Sequence, residues 1–178
     1  MVAVVLDALA GRRDPELRTR LGPELDDHVR RLLRDHALAW ARAAGGGAPP
    51  LEARGVDQLP ELVGGHAGPV LLVAPDVPGL SPTHLDAALD DVANGVLVAT
   101  APTSDGTPFL VVLARPEPAL LRVVGAPFEE LAATALELGG GLGMLRADRR
   151  LATVADARAL RADPTAPPEL RAALATLD

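Results

Sequence analysis

The stretch PVLLVAPDVPGLSPTHLDAAL, residues 69–89, decides the fold. Val70 to Val73 form an unbroken apolar run, as expected of a strand covered on both faces in a parallel sheet. The run stops at Ala74-Pro75 and meets a carboxylate, Asp76, followed by Pro78 and Gly79. Ser81 and Pro82 then open a helical pattern, Ser81 in the cap position and Leu85, Ala88, Leu89 and Val92 inward. An acid at the carboxyl end of such a strand has two readings. It can satisfy backbone N–H groups in its own turn, or it can face a divalent cation or a phosphate at the rim of the sheet.

Working outward, VAVVLDAL (residues 2–9) reads as a first buried strand, and GRRDPELRTRLGP follows it with turn residues and four arginines. PELDDHVRRLLRDHALAWARAA (23–44) puts Leu25, Val29, Leu32, Leu33, His36, Ala37 and Trp40 on one helical face. Its acids come first and most of its arginines later, as the helix dipole prefers. GGGAPPLEARG (45–55) reads as a loop with a residual edge strand at 51–54. VDQLPELVGG reads as a short helix. GVLVATAP and TPFLVVLAR are two strands around TSDG, with Asp105-Gly106 as hairpin chemistry. PEPALLRVV and PFEELAATALELGG are helical, GLGMLRA is a last strand, and TVADARALRA and PPELRAALATL are helical tails. Leu138 to Gly143 (LGGGLG) is a helix stop; it lies too late to be a dinucleotide loop. Strands alternating with helices predict a doubly wound, mostly parallel α/β sheet with mixed features at 94–113, in one domain spanning 1–178.

Composition narrows the function classes. The 178 residues carry a net charge of −7, and aromatics are 2% of the chain. Neither a field for polyanions nor stacking platforms are present, so no nucleic-acid partner is expected. No apolar run approaches the ~20 residues of a membrane span. With no cysteine, thiolate metal sites and Cys nucleophiles are excluded, and a cytoplasmic protein is expected. All 17 basic residues are Arg, so no Lys can take a catalytic role.

Three sets of residues are candidates for chemistry. Asp76 is the first, and Asp105 in its hairpin turn is the second. Arg12, Arg13, Arg18 and Arg20 are the third; after a first strand they either meet phosphate bidentately or form a solvated helix face. The four histidines (His28, His36, His66, His84) have no metal-ligand spacing, and His36, on an apolar face, reads as structural.

The order of these pieces resembles a family. PVLLVAPDVPGLSPTHLDAAL is similar to the central segment of the GT-A-type glycosyltransferase and nucleotidyltransferase superfamily, above all its uncharacterised bacterial GT-A-like glycosyltransferases, where a strand ends in Ser-Asp-Cys-Pro-Gly-Leu-Thr-Pro. TSDGTPFLVVLARPEPAL resembles their Asp-Gly-Gly-Tyr-Tyr turn and strand, ELRTRLGPEL their Lys-Thr-Arg-Leu segment, and LATVADARAL their closing Asp-Ile-Asp-Thr-Pro-Ala-Asp-Leu. The resemblance implies a three-layer α/β/α sandwich of the nucleotide-diphospho-sugar transferase type, Rossmann-like, with a mostly parallel sheet. It implies a transferase that takes a nucleotide or nucleotide-sugar donor and Mg²⁺ or Mn²⁺, with Asp76 as metal and nucleotide-side acid. Asp105 would face the donor or acceptor pocket, and Arg18 and Arg20 the phosphates, beside Arg12 and Arg13 of the same group.

The chain departs from that pattern at identifiable places. The family's Lys-Ala-Pro near the first strand is LDALAG, its aromatic pair is Thr107-Pro108-Phe109, and its late Asp-x-Asp is Arg150-Leu151-Ala152. The segment before residue 69 is shorter, which leaves an apolar edge where a second copy could form a homodimer. These departures set a second expectation beside the first: a binding or scaffolding protein on the same fold that has lost catalysis.

Overall fold

The computed structural model describes residues 2–177. The strands are β1 (Ala3–Leu6), β2 (Leu51–Glu52), β3 (Val70–Val73), β4 (Val96–Pro102), β5 (Pro108–Leu113) and β6 (Gly141–Met144). The helices are α1 (Pro15–Leu21), α2 (Pro23–Ala44), α3 (Leu59–Val63), α4 (Pro82–Ala93), α5 (Pro118–Val123), α6 (Phe128–Glu137), α7 (Val154–Ala162) and α8 (Pro168–Leu174). They flank one six-stranded sheet of order β2-β1-β3-β5-β4-β6, giving a three-layer α/β/α sandwich. The sheet is mostly parallel, and only β5 runs against both of its neighbours.

Local sequence accounts for most of these choices. Every residue of β3 is fully inaccessible, which is why the run shows no alternation and why it lies near the middle of the sheet. Truncating one of its leucines to Ala would cost about 2–5 kcal/mol. β5 is antiparallel because the chain reverses at Asp105-Gly106, where Gly106 has φ +85 and returns the strand directly beside β4. The predicted stop after α6 is present: Gly139 has φ +76, and β6 begins two residues later at the sheet edge.

Two differences from the sequence reading have simple causes. The stretch after β1 contains α1, capped by the Asp14 side chain accepting from the Glu16 amide, with Leu17 and Leu21 buried. Ser81 does stand at the cap position of α4, but its hydroxyl is turned to Thr83 and to His84 Nδ1 instead of the helix amides. His84 is therefore buried on that helix beside Ala88, with Leu85, Leu89 and Val92 half-buried.

Helix α2 joins two apolar clusters. Ala37, Trp40 and Ala41 belong to the core around the sheet, while Val29 and Leu33 join Leu17, Leu151, Leu160, Leu170 and Leu174 from α1, α7, α8 and the loop before α7. Trp40 donates to the Ser81 carbonyl at 2.9 Å, and His36 Nε2 lies 2.9 Å from the Leu80 carbonyl. Those bonds pin the loop that carries Asp76. β1 and β3 pair with Leu6 beside Val73, so the loops after both strands leave the sheet side by side.

Candidate functional site

The loop after β1 starts from a strained residue. Asp7 has φ +68, in the left-handed region, with its amide bonded to the Val73 carbonyl. Its carboxylate pairs with Arg34 of α2 at 2.6 Å, and Arg34 also reaches Glu52 of β2. The loop then lies across the ends of β1 and β3 and brings the Gly11 amide to Asp76 Oδ2 at 3.0 Å.

Asp76 is held by parts of the chain far from it in sequence. Its Oδ2 also accepts from Arg150 Nη1 at 3.1 Å, and its carbonyl accepts from the Leu151 amide at 2.9 Å. The Arg150 guanidinium donates to the Leu9 carbonyl at 3.2 and 3.3 Å and to the Pro108 carbonyl at 3.2 Å. With a side chain only 5% exposed, Arg150 joins the loops after β1 and β3 to the start of β5. A buried pair of this kind needs further hydrogen bonds to hold it; here both terminal nitrogens of Arg150 donate to carbonyls, while its buried Nε has no hydrogen-bond partner. Burial pushes the Asp76 carboxyl above its usual range, against the opposing pull of the Arg150 guanidinium and the Gly11 amide.

Two clefts flank this junction and share Ala10 and Gly11 as a wall. The first, of about 520 Å³, is faced by Asp7, Arg13, Arg30, Arg34 and Asp76. The second, of about 410 Å³, is faced by Arg12, Asp105 and Arg150. Three arginines and two aspartates line the first cleft, with Asp26 and Glu52 also pairing those arginines, and two arginines against one aspartate line the second. In the first cleft, Arg13 Nη2 is buried without a hydrogen-bond partner, and Asp76 Oδ1 is buried without one on any other residue. Arg13 is fixed from behind by Asp26, a fully buried carboxylate that also takes Arg30 at 2.8 Å. Burial lowers the Arg13 guanidinium from its ordinary value, with Asp26 opposing.

Asp105 completes its own turn and also faces the second cleft. Its Oδ1 accepts from the Thr107 amide at 2.9 Å and from the hydroxyls of Thr103 and Thr107. Burial would raise this carboxyl, but those hydrogen bonds together outweigh it and hold the group at about 2.

The candidate arginines divide. Arg12 and Arg13 face the clefts; Arg18 and Arg20 stand exposed on α1, Arg20 beside Glu16 at 3.6 Å, and neither borders either cleft. Sequence reasoning missed Arg150, Asp26, Asp7 and Arg34. Arg150 sits in RADRR, which reads as a solvated charge run, and nothing local marks one of its three arginines as buried. Asp26 gave a weak signal: it falls at the helical spacing of Val29 and Leu33 on the inward face of α2.

The residues around Asp76 do not fit a divalent cation. Asp76 Oδ2 already carries a guanidinium and an amide, only Oδ1 is left, and no group of three or more metal-ligating side chains converges among the described residues. Mg²⁺ demands near-octahedral oxygen coordination, and the one remaining oxygen, Asp76 Oδ1, is itself buried. No helix among the described residues is long and apolar enough to cross a membrane.

No family model and no curated protein matches the chain. Among solved structures it is similar to a candidate nucleotide-diphospho-sugar transferase from Desulfovibrio desulfuricans, with TM-score 0.67 and 14% identity over 99% of this chain and 97% of that one. A second structure, the bifunctional IspDF from Campylobacter jejuni, matches at TM-score 0.49 and 8% identity over 87% of this chain and 53% of that one. The first of these shows the fold: a nucleotide-diphospho-sugar transferase type of α/β/α sandwich.

Proposed function

We propose that this chain is a transferase that takes a nucleotide-activated donor across the junction of the two clefts. The nucleoside lies in the cleft of Arg13 and Asp76, the diphosphate crosses the wall made by Ala10 and Gly11, and the transferred group meets its acceptor in the cleft of Arg12 and Asp105. One observation carries the reading: a buried donor, Arg13 Nη2, and a buried acceptor, Asp76 Oδ1, lack partners on two residues that line one cleft at the carboxyl rim of the sheet. Native proteins rarely leave such atoms open, and a ligand rich in hydroxyls and phosphate oxygens would satisfy both. The position is also where open α/β sheets bind ligands.

The chemistry available is electrostatic. Negative charge that grows on the leaving diphosphate is offset by guanidinium groups already in place, which need no rearrangement during the reaction. Asp105 suits positioning better than proton removal. A carboxylate held at about 2 is a weak base near neutrality, whereas its second oxygen can orient an acceptor hydroxyl.

A second reading, binding without turnover, is favoured by a separate observation: Asp76 and Asp105 each spend one oxygen wholly on internal hydrogen bonds. One screen addresses both. Thermal unfolding is followed with nucleoside diphosphates and nucleoside-diphosphate sugars, with and without Mn²⁺. A ligand at a hundredfold excess over its Kd adds about 2.7 kcal/mol, which moves the melting point by roughly 5–10 °C at this chain length. We expect such a shift for at least one diphosphate, reduced by Arg12→Ala. A flat screen rejects donor binding altogether. Sugar nucleotides that bind but release no nucleoside diphosphate over hours select the second reading.

A further inference from the structure

We propose that Arg150 supplies, from inside the fold, the positive charge that a divalent cation would otherwise bring to the diphosphate, so that nucleotide binding at this junction is independent of metal. The inference rests on the donor-binding reading above and extends it to the site's cofactor requirement.

Arg150 occupies Asp76 Oδ2 and also lines the second cleft. Arginine keeps its charge at every accessible pH. Four hydrogen bonds fix the group: one to Asp76, two to the Leu9 carbonyl and one to the Pro108 carbonyl. Gly11 has given up its side chain to admit it, since a Cβ there would fall 1.7 Å from Nη1 and 2.6 Å from Cζ. A dication against Asp76 would have to share that carboxylate with a fixed positive charge, in a site where burial already penalises charge. With Arg12 on the same cleft and Arg13 on the other, the path between the clefts carries three guanidinium groups and needs no ion from solution.

The decisive measurement is calorimetric titration of the wild-type protein with uridine, guanosine, cytidine and adenosine diphosphates, in EDTA and again in excess Mn²⁺. At least one diphosphate is expected to bind, with a Kd that agrees between the two buffers within about threefold. A Kd that tightens by more than that in Mn²⁺, or a site for Mn²⁺ alone that Asp76→Asn abolishes, overturns the inference and leaves donor binding standing. Failure of every diphosphate in both buffers removes donor binding itself. A variant adds a second arm: Arg150→Gln, checked for folding by circular dichroism, is expected to lose about tenfold or more in affinity in EDTA and to regain part of it in Mn²⁺, because the carboxylate is then open to the ion. Unchanged affinity in EDTA for the folded variant overturns the inference. Should the variant fail to fold, the wild-type titrations decide the matter alone.

Discussion

Gly11 and Arg150 exclude any side chain at position 11: a Cβ there would meet Nη1 of Arg150 at 1.7 Å, and the guanidinium cannot retreat from the carbonyls and carboxylate that hold it. Gly11→Ala is therefore expected to destabilise the protein by about 1–3 kcal/mol, the usual cost of forcing atoms into a packed site. Gly65→Ala is the control. A Cβ on Gly65 meets nothing within 4 Å, and its stability should stay within about 0.5 kcal/mol of the wild type. Urea unfolding of the two variants checks the contrast.

Asp26 holds the rear of the first cleft. It is fully inaccessible and takes both Arg13 and Arg30. Removing one member of a buried ion pair typically costs about 3–5 kcal/mol, because the other charge stays behind unpaired. Asp26→Ala should lose roughly that much, and it should weaken diphosphate binding by releasing Arg13. Asp27→Ala, one residue away on the exposed side of α2, should change stability by no more than about 0.5 kcal/mol. Equal effects from the two would show that Asp26 plays no such role.

His84 makes stability fall on mild acidification. Burial lowers this imidazole from its usual value, with Arg146 adding to the effect and Asp148 opposing it, and its ring meets the edge of Phe109 at 5.4 Å. The neutral ring is the form that packs. Its contribution is complete above the unfolded value of about 6.5 and is lost as pH falls below it toward the lower folded value. Urea midpoints between about pH 7.5 and pH 5.5 should decline, and the decline should be shallower in His84→Gln. Identical slopes for the two proteins would reject this assignment.

Asp105 titrates in a lower window. Its folded value of about 2 lies below the ordinary 3.8. Stability from the turn is thus complete above the ordinary value and disappears as pH falls through about 2. Carbon-13 titration of the Asp105 carboxyl should give a midpoint near 2, and Asp105→Ala should speed exchange of the Thr107 amide, whose acceptor it removes. A midpoint at or above the ordinary value would remove the hydrogen-bonded turn from the account.

Much of the fold was legible because its causes are local. The apolar run at 70–73, the 22-residue pattern of α2, the Asp-Gly reversal between β4 and β5 and the stop at Gly139 each express a preference settled within a few residues. Helix α1 was legible only as a possible solvated helix face, because seven residues with three charges look the same solvated or packed; its two leucines are buried only once α2 and α7 lie against them. The site was half legible on the same principle. Asp76, Asp105, Arg12 and Arg13, singled out by their positions after strands and in turns, line the two clefts, whereas Arg18 and Arg20 follow the same strand yet stand exposed on α1.

The amino-acid order by itself determined the alternation of strands and helices, the rim on which the loops gather, and the absence of thiol and lysine chemistry. It could not determine which charges meet. Asp76 finds Gly11 at 65 residues' separation and Arg150 at 74, and Arg150 reaches Leu9 across 141. Contacts of that range are selected by how the sheet orders its strands and by which groups burial forces to find a partner. That selection put a guanidinium against the carboxylate at the carboxyl end of β3.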